Sequence, residues 1–382
     1  MKTFFTTLTT VLCCVCCLAA AAADDSDPAS FHPAVEPLEL PCCGPFVHTY
    51  DGAIVALNGK DAFRSTDGGQ TWQSHPALPS EGFSIHADGG DAYSIVRVGR
   101  DLVAAFSNYA ELKRGGDWGT GSVTDWEIPV YTIRSTDDGL TWSEPLAIQR
   151  DWVGCLRGMV TTKAGRVVLA TMGLTPWHHI IKVYISDDRG EHWIRTAVID
   201  MPECHNNDHD GAMEPKILQR KDGSLYMLIR TTKGTFYSSV SDNGGVTWSQ
   251  PASTGIENNN SFGELEVLSD GSWILLWNRD PELPAFDYHP DPNADPNPWA
   301  VEDNSYSWIK PRNILSCAVS SDEGRGWSQP VVLAQTKQKW IAYPIFFEPE
   351  PGLFWISTGQ GGLHMKVRRD DLFPPSDAQN DR

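Results

Sequence analysis

The sequence lacks the excess of basic residues that nucleic-acid-binding proteins carry. Its 382 residues include 30 Lys and Arg against 49 Asp and Glu, which gives a formal net charge of −19. A field of this sign repels phosphate backbones and anionic lipid surfaces. Beyond the first two dozen residues it also lacks any run approaching the roughly 18 apolar residues of a spanning helix. We therefore expect no nucleic-acid partner and no membrane insertion.

Cysteine spacing excludes a second group of proteins. Four of the nine cysteines fall in the N-terminal apolar run, and the other five are Cys42, Cys43, Cys155, Cys204 and Cys317. An odd set without C-x-x-C spacing fits neither a zinc ribbon nor a dense disulfide framework, although one or two bridges remain open. We expect no metal site and no cofactor, and the oligomeric state stays undetermined.

The N-terminus has the pattern of an export signal. Met1-Lys2 is followed by an apolar run over residues 11–23 that ends in an Ala-x-Ala pattern. A charged start, a short apolar region and small residues at the end are typical of a cleaved signal peptide. The sequence therefore predicts a signal peptide at 1–23 and a secreted or periplasmic mature protein.

A short motif recurs through the rest of the chain. The pattern Ser-x-Asp-x-Gly-x-Thr-Trp occupies residues 65–72 and 135–142, and looser copies occupy 186–193, 241–248 and 320–327. In such a turn Asp or Asn accepts backbone N–H bonds, Gly takes the left-handed conformation, and Trp packs between neighbouring sheets. We call each copy of this motif a box and interpret the boxes as structural hairpins.

The spacing of the boxes predicts the fold. Successive copies begin 51 to 79 residues apart, which is the size of a four-stranded propeller blade with insertions. Counts of 33 Gly, 26 Pro and 15 Trp also favour many short strands over long helices. We predict an all-β, six-bladed β-propeller of four-stranded antiparallel blades at 46–369, between a lead-in segment at 24–45 and a tail at 370–382. The predicted blades are 46–80, 91–150, 156–200, 212–255, 263–335 and 341–369, the last without a box.

One segment places two charged residues close together. Residues 213–230 form a strand, an Asp222-Gly223 turn and a second strand, which brings Glu214 and Arg230 to the same end of a hairpin. Taken alone, such a pair favours an ion pair at a strand end over a functional site.

The boxes and their order resemble the bacterial neuraminidase repeats of the sialidase superfamily. The resemblance implies that Glu214 is a general base and that Arg230 belongs to a carboxylate-binding arginine cluster. Two further segments match in order and spacing, and they nominate Arg312 as a second cluster arginine and Tyr343 as the nucleophile. Asp125, on the loop before the second box, is the nominated acid, with Asp117 as a competitor. Glycan or oligosaccharide is the implied partner.

The residue types suit a sugar whose anomeric carbon bears a carboxylate. Arginine holds a carboxylate with two parallel hydrogen bonds. A neutral phenol approaches such a sugar where a carboxylate nucleophile would be repelled, and a nearby glutamate takes its proton. Tyrosine nucleophiles are a recognised departure from the two-carboxylate scheme of glycosidases.

The sequence also departs from the family pattern. Where sialidases open their first inner strand with Arg-Ile-Pro, this chain has residues 92–96, Ala-Tyr-Ser-Ile-Val. Arg157 is the candidate for a compensating cation, and the loss predicts weaker carboxylate binding or another substrate, such as a uronic acid, a different ulosonic acid or a neutral glycan. His205 and His209, on a loop ahead of Glu214, are predicted to contact substrate rather than a metal.

Three functions remain open at this stage. The first is a secreted exo-glycosidase of the sialidase type that removes a terminal, acidic sugar. The second is a polysaccharide lyase, in which Tyr343 and a histidine of the 205–209 loop act as base and acid. The third is a non-catalytic glycan-binding propeller.

Overall fold

The computed structural model describes residues 27–85, 92–113, 126–175, 178–202, 211–279 and 312–374. Their regular secondary structure is almost entirely β-strand, with one 3-10 helix at Tyr109–Glu111 and one α-helical turn, α1, at Arg369–Leu372. Among them, no helix has the length and apolarity needed to cross a bilayer. The predicted signal peptide at 1–23 and the end of the tail, 375–382, lie outside the described residues.

The first three blades are continuous in the chain, and each is a four-stranded antiparallel sheet. Blade one contains β3 to β6, which span Phe46–His48, Ile54–Asn58, Asp61–Ser65 and Gln73–Pro76. Blade two contains β7 to β10, which span Tyr93–Val98, Asp101–Ser107, Val130–Ser135 and Leu146–Gln149. Blade three contains β11 to β14, which span Gly158–Thr161, Val167–Leu174, His179–Ser186 and Ile194–Ile199.

The next two blades follow the same order. Blade four contains β15 to β18, which span Met213–Gln219, Leu225–Arg230, Thr235–Ser241 and Ala252–Glu257. Blade five contains β19 to β22, which span Glu264–Val267, Trp273–Asn278, Ile314–Ser320 and Val331–Gln335. The first strands of neighbouring blades contact one another and surround the central axis.

The sixth blade joins the two ends of the chain. Its strands β23 to β25 span Pro344–Glu350, Leu353–Thr358 and His364–Arg368. The fourth strand is β2, Glu36–Pro37, from the lead-in segment, and β1, Ser30–Phe31, adds a fifth strand to blade five. This pairing closes the ring with main-chain hydrogen bonds, and it covers two sheet edges that would otherwise be exposed. The prediction of a six-bladed propeller is confirmed.

The five boxes form the hairpins between the third and fourth strands of blades one to five. In the first, Ser65 Oγ donates to Asp67 Oδ1 at 2.8 Å, and Asp67 accepts from Thr71 N at 2.9 Å and Thr71 Oγ1 at 2.6 Å. The other four boxes repeat the bond from serine to the residue two positions on, which is Asp137, Asp188, Asn243 or Asp322. Each box tryptophan packs against the apolar cluster that its own blade shares with the preceding one. The predicted structural role of the boxes is confirmed.

The box glycine is required for two reasons. Gly139 has a φ of +87°, and a Cβ there would lie 2.9 Å from Val55 Cγ2 in the neighbouring blade. A side chain would therefore be strained by the left-handed backbone and would also collide with the next sheet. Gly69 has the same relation to Trp355 of blade six. The boxes thus set how closely consecutive blades approach.

Candidate active site

The candidate site forms at one face of the propeller because antiparallel strands return there. Glu214 lies at the start of β15, the first strand of blade four, and Arg230 ends β16, with Met213 paired opposite Arg230. The predicted juxtaposition of Glu214 and Arg230 is confirmed. Tyr343 directly precedes β23, and Arg312 precedes β21, so both are delivered to the same face.

Tyr343 and Glu214 form a direct hydrogen bond although 129 residues separate them in the chain. The Tyr343 hydroxyl donates to Glu214 Oε1 at 2.8 Å, and Arg230 Nη1 donates to the same oxygen at 2.6 Å. Arg230 Nη1 also lies 3.4 Å from the Tyr343 hydroxyl. Arg230 and Glu214 are both buried, whereas Tyr343 is only partly buried. The phenol is thus held by a proton acceptor and a cation, and it keeps an opening to solvent.

Two arginines give the site an excess of positive charge. Burial is the largest single influence on the pKa of Arg230 and would lower it, but the charges of Glu214 and Tyr343 and their hydrogen bonds together raise it. Arg312 differs, because burial, followed by repulsion from Arg230, lowers its pKa. Within the described part of the chain no carboxylate lies within ion-pairing distance of Arg312, whose guanidinium carbon is 5.0 Å from the centre of the Trp340 ring and 5.7 Å from that of Tyr343. A buried cation in this position favours an anionic ligand.

Several polar atoms around the phenol are buried without a hydrogen-bond partner among the described residues. They are Glu214 Oε2, Asn260 Nδ2 and Arg312 Nε. Buried polar groups are nearly always satisfied in folded proteins, so a cluster of unsatisfied ones needs an explanation. A bound ligand with both donor and acceptor groups would satisfy them.

Three residues of the site have a left-handed backbone conformation that residues other than glycine rarely adopt. Glu214, Asn260 and Tyr343 have φ angles of +45°, +58° and +55°. Left-handed backbone costs a non-glycine residue about 1–2 kcal/mol, and such strain clusters at functional sites. At Glu214 it coincides with a β-bulge in the pairing of β15 with β16. This conformation brings the Glu214 carboxylate to the Tyr343 hydroxyl. It also brings the Asn260 amide to Arg230.

Asn260 and Phe262 also belong to the site, although the sequence did not single them out, and they lie in the connection from blade four to β19. The Phe262 ring is parallel to that of Tyr343, with an interplanar angle of 7° and centroids 6.1 Å apart. Asn260 Oδ1 accepts from Arg230 Nε at 2.9 Å, and its carbonyl accepts from Arg312 Nη2 at 2.8 Å. The available signal was the polar run 258–261 directly ahead of an inner strand, because asparagine tolerates left-handed backbone.

Arg157 lies on the axis with buried acidic residues. Its Nη2 is 3.5 Å from Glu264 Oε2 and donates to the Pro344 carbonyl at 3.1 Å, so it extends from blade three to blades five and six. Lys216 Nζ pairs with the same Glu264 at 3.1 Å. Arg157 and Lys216 also line an axial cavity of about 570 Å³, formed largely by the later parts of the inner strands. A substrate-binding role for Arg157 stays a prediction.

In β7, where the sequence lacks the Arg-Ile-Pro motif, two side chains bond to neighbouring blades. Tyr93 is buried, donates to the Pro45 carbonyl and accepts from Leu57 N, both at 2.9 Å, while Ser94 Oγ donates to the Leu156 carbonyl at 2.7 Å. These side chains tie blade two to its neighbours. Asp125, Asp117, His205 and His209 lie outside the described residues, and their roles stay predictions.

The fold and the geometry of the site define a sialidase-like propeller. A family model described as a BNR repeat-like domain matches residues 117–356, more than half of the chain, and the BNR/Asp-box repeat model matches residues 63–74. The chain belongs to the BNR repeat-like domain family. A search of curated proteins finds no match.

Solved sialidases share the architecture at low sequence identity. The Hadza microbial sialidase Hz136 is 17% identical, with a TM-score of 0.59 over 86% of this chain and 66% of that one. The NanB sialidase from Streptococcus pneumoniae is 14% identical, with a TM-score of 0.54 over 90% and 71% of the two chains. The Trypanosoma rangeli sialidase, solved with 2,3-difluorosialic acid as a covalent intermediate, is 14% identical, with a TM-score of 0.53 over 89% and 58%. This chain therefore spans 58% to 71% of the lengths of these relatives, and the similarity shows the fold.

Proposed function

We propose that the protein is an exported, sialidase-like exo-glycosidase that hydrolyses a terminal acidic sugar from glycans. The observation that carries the proposal is the 2.8 Å hydrogen bond from the Tyr343 hydroxyl to Glu214, beside the buried cation of Arg312. A phenol held by a carboxylate resembles other nucleophiles paired with a base. Export rests on the N-terminal pattern of the sequence alone.

In the first step the Tyr343 oxygen bonds to the anomeric carbon while its proton passes to Glu214 Oε1. The bond from that carbon to the leaving oxygen breaks, and the leaving oxygen takes a proton from the acid, for which Asp125 is the candidate. Water then attacks the same carbon and gives a proton to the carboxylate left by the acid. The bond from that carbon to the Tyr343 oxygen breaks, and Glu214 returns its proton to the phenol oxygen as the sugar is released. Two displacements at one carbon retain its configuration.

Arg230 assists this step through its position. Its Nη1 is 2.6 Å from Glu214 Oε1 and 3.4 Å from the Tyr343 oxygen. A fixed positive charge at that distance stabilises the negative charge that develops on the phenol oxygen during proton transfer. Arg230 and Arg312 then offer guanidinium groups to the substrate carboxylate.

Because of the residues at β7, we propose acidic sugars as a class and not sialic acid in particular. Tyr93 and Ser94 bond to backbone carbonyls where the family's first arginine stands, so this position supplies no cation. Two arginines still provide charge-assisted hydrogen bonds of about 1.5–3 kcal/mol each. Uronic acids and ulosonic acids other than sialic acid therefore belong in the test beside sialosides.

The test is a panel of fluorogenic glycosides that includes sialosides, glycosides of other ulosonic acids, glucuronides and neutral sugars. We expect turnover of at least one acidic glycoside, and NMR of the first-formed product should show retained configuration. The Tyr343→Phe variant should lose that turnover. Inverted product, or a Tyr343→Phe variant as active as the wild type, would refute the mechanism. Unsaturated products absorbing in the ultraviolet would identify a lyase, and binding without any product would identify a glycan-binding propeller.

A further inference from the structure

Asn260 joins the two arginines of the site, although they come from different blades. Its side-chain oxygen accepts from Arg230 Nε at 2.9 Å, and its carbonyl oxygen accepts from Arg312 Nη2 at 2.8 Å. Arg230 belongs to blade four and Arg312 to blade five. One residue therefore fixes the orientation of both guanidinium groups.

The loop that carries Asn260 is itself held in place. Asn258 N donates to the Gly234 carbonyl at 2.9 Å, which ties the loop to blade four near the end of β16. Asn258 Oδ1 accepts from Ser261 N at 3.0 Å, and Asn259 Oδ1 accepts from Ser261 Oγ at 2.8 Å. The two bonds of Asn258 hold Asn260, which is fully buried, at its φ of +58°.

Both contacts of Asn260 use atoms that leave the arginines free to bind further. The bond to Arg230 uses Nε, while Nη1 of that arginine reaches Glu214 and Tyr343. Guanidinium groups bind a carboxylate well only when their planes are fixed in the right direction. Asn260 supplies that orientation without adding a negative charge that would compete with a ligand.

We propose that Asn260 is the positioning residue of a two-arginine carboxylate clamp and sets the preference of the site for acidic sugars. This inference rests on the proposed function, because it assigns the substrate carboxylate to Arg230 and Arg312. Beyond that function, Asn260 aligns the two arginines across the blade boundary.

The sharpest variant is Asn260→Gly. Glycine adopts a φ of +58° without strain and keeps the carbonyl that holds Arg312, so only the amide bound to Arg230 is removed. Asn259→Gly is the matched control, since it alters the same loop at the residue whose side chain accepts from Ser261. Asn260→Asp is the third variant, because it keeps an oxygen for Arg230 Nε and adds a negative charge beside both arginines.

The measurement is calorimetric binding of N-acetylneuraminic acid and glucuronic acid, each compared with its methyl ester. The wild type should prefer the acid, Asn260→Gly should lower that preference about tenfold or more, and Asn259→Gly should leave it within about twofold. Asn260→Asp should also lose the preference, because its charge occupies the clamp, while its thermal unfolding temperature stays at or above that of the wild type. A purely structural residue would instead change stability without changing the ratio of the two affinities.

The outcomes separate this inference from the proposed function. A wild type that prefers the acids but hydrolyses no glycoside would refute the hydrolase and leave the clamp standing. An Asn260→Gly variant with the wild-type preference would refute the role of Asn260. If that variant does not fold, an unchanged preference in Asn260→Asp refutes it instead. No preference in the wild type would refute both proposals. In an active wild type, Asn260→Gly should raise KM for acidic glycosides.

Discussion

Replacing Glu214 by glutamine tests the charge arrangement of the site most directly. Glu214 Oε1 accepts from Arg230 at 2.6 Å and from Tyr343 at 2.8 Å, and Oε2 has no partner among the described residues. Glutamine keeps an oxygen for these bonds but removes the charge. Arg230 then loses its neutralising partner while Arg312 remains beside it. The substitution therefore leaves two buried cations together.

The expected size of the effect follows from this burial. Breaking a buried ion pair by removing one partner costs about 3–5 kcal/mol, and the retained acceptor places Glu214→Gln near the lower value. Catalytically, the loss of a general base should lower kcat by about 10² to 10⁴. KM should change little, since Arg230 and Arg312 still bind the substrate carboxylate.

Urea unfolding at pH 7 and steady-state hydrolysis of an acidic glycoside measure the two effects separately. Tyr343→Phe is the control: it should be equally inactive but lose only about 1–1.5 kcal/mol, because the ring still packs on Phe262 and Glu214 still pairs with Arg230. A Glu214→Gln variant as stable as the wild type would refute the charge argument. A variant that keeps kcat within about tenfold would exclude Glu214 as the base.

Three further predictions concern stability. Arg157→Met should lower the free energy of unfolding in urea by about 1.5–3 kcal/mol, because the buried Glu264 loses one of its two cationic partners and keeps Lys216. Arg157→Met should not alter the preference for an acidic sugar over its methyl ester. A lost preference would show that Arg157 binds the ligand. Gly139→Ala should cost about 2–4 kcal/mol, because its Cβ meets Val55, whereas Gly99→Ala, at a φ of +63° in open space, should cost only about 1–2 kcal/mol in the same assay. Equal losses would contradict the packing role of the box. Hydrogen bonds from the box threonine lower the pKa of Asp67 from 3.8 to about 2, so its charged form stabilises the fold above pH 3.8, and this contribution is lost as the pH falls through about 2. Asp67→Asn, followed by thermal unfolding between pH 5 and pH 2, should therefore lose less stability on acidification than the wild type.

The blades were predictable because the boxes are local structures. Within a box the bonds join residues two to four positions apart, such as Ser65 with Asp67 and Asp67 with Thr71, so one short segment contains the whole turn. The hairpin that brings Glu214 to Arg230 is similarly short. Local hydrogen bonding and turn residues suffice to predict such features.

The residues that complete the site around Glu214 and Arg230 could not be predicted from local hydrogen bonds and turns. Arg312 and Tyr343 were nominated by the resemblance to sialidases, and the structure brings Tyr343 within hydrogen-bonding distance of Glu214. Asn260 was missed because its contacts with Arg230 and Arg312 span 30 and 52 residues and depend on the angle between two blades. Similarly, no local pattern indicated that Arg157 would pair with Glu264 across the axis.

By itself the sequence determined how many blades form and where each one turns, because those features depend on hydrogen bonds between near neighbours in the chain. Tertiary structure alone decided that β1 and β2 close the ring and that residues far apart in sequence converge beside one phenol. The physical reason is that these contacts exist only after all six sheets have packed around a common axis. That packing also holds Glu214, Asn260 and Tyr343 in backbone conformations that a short peptide would rarely adopt.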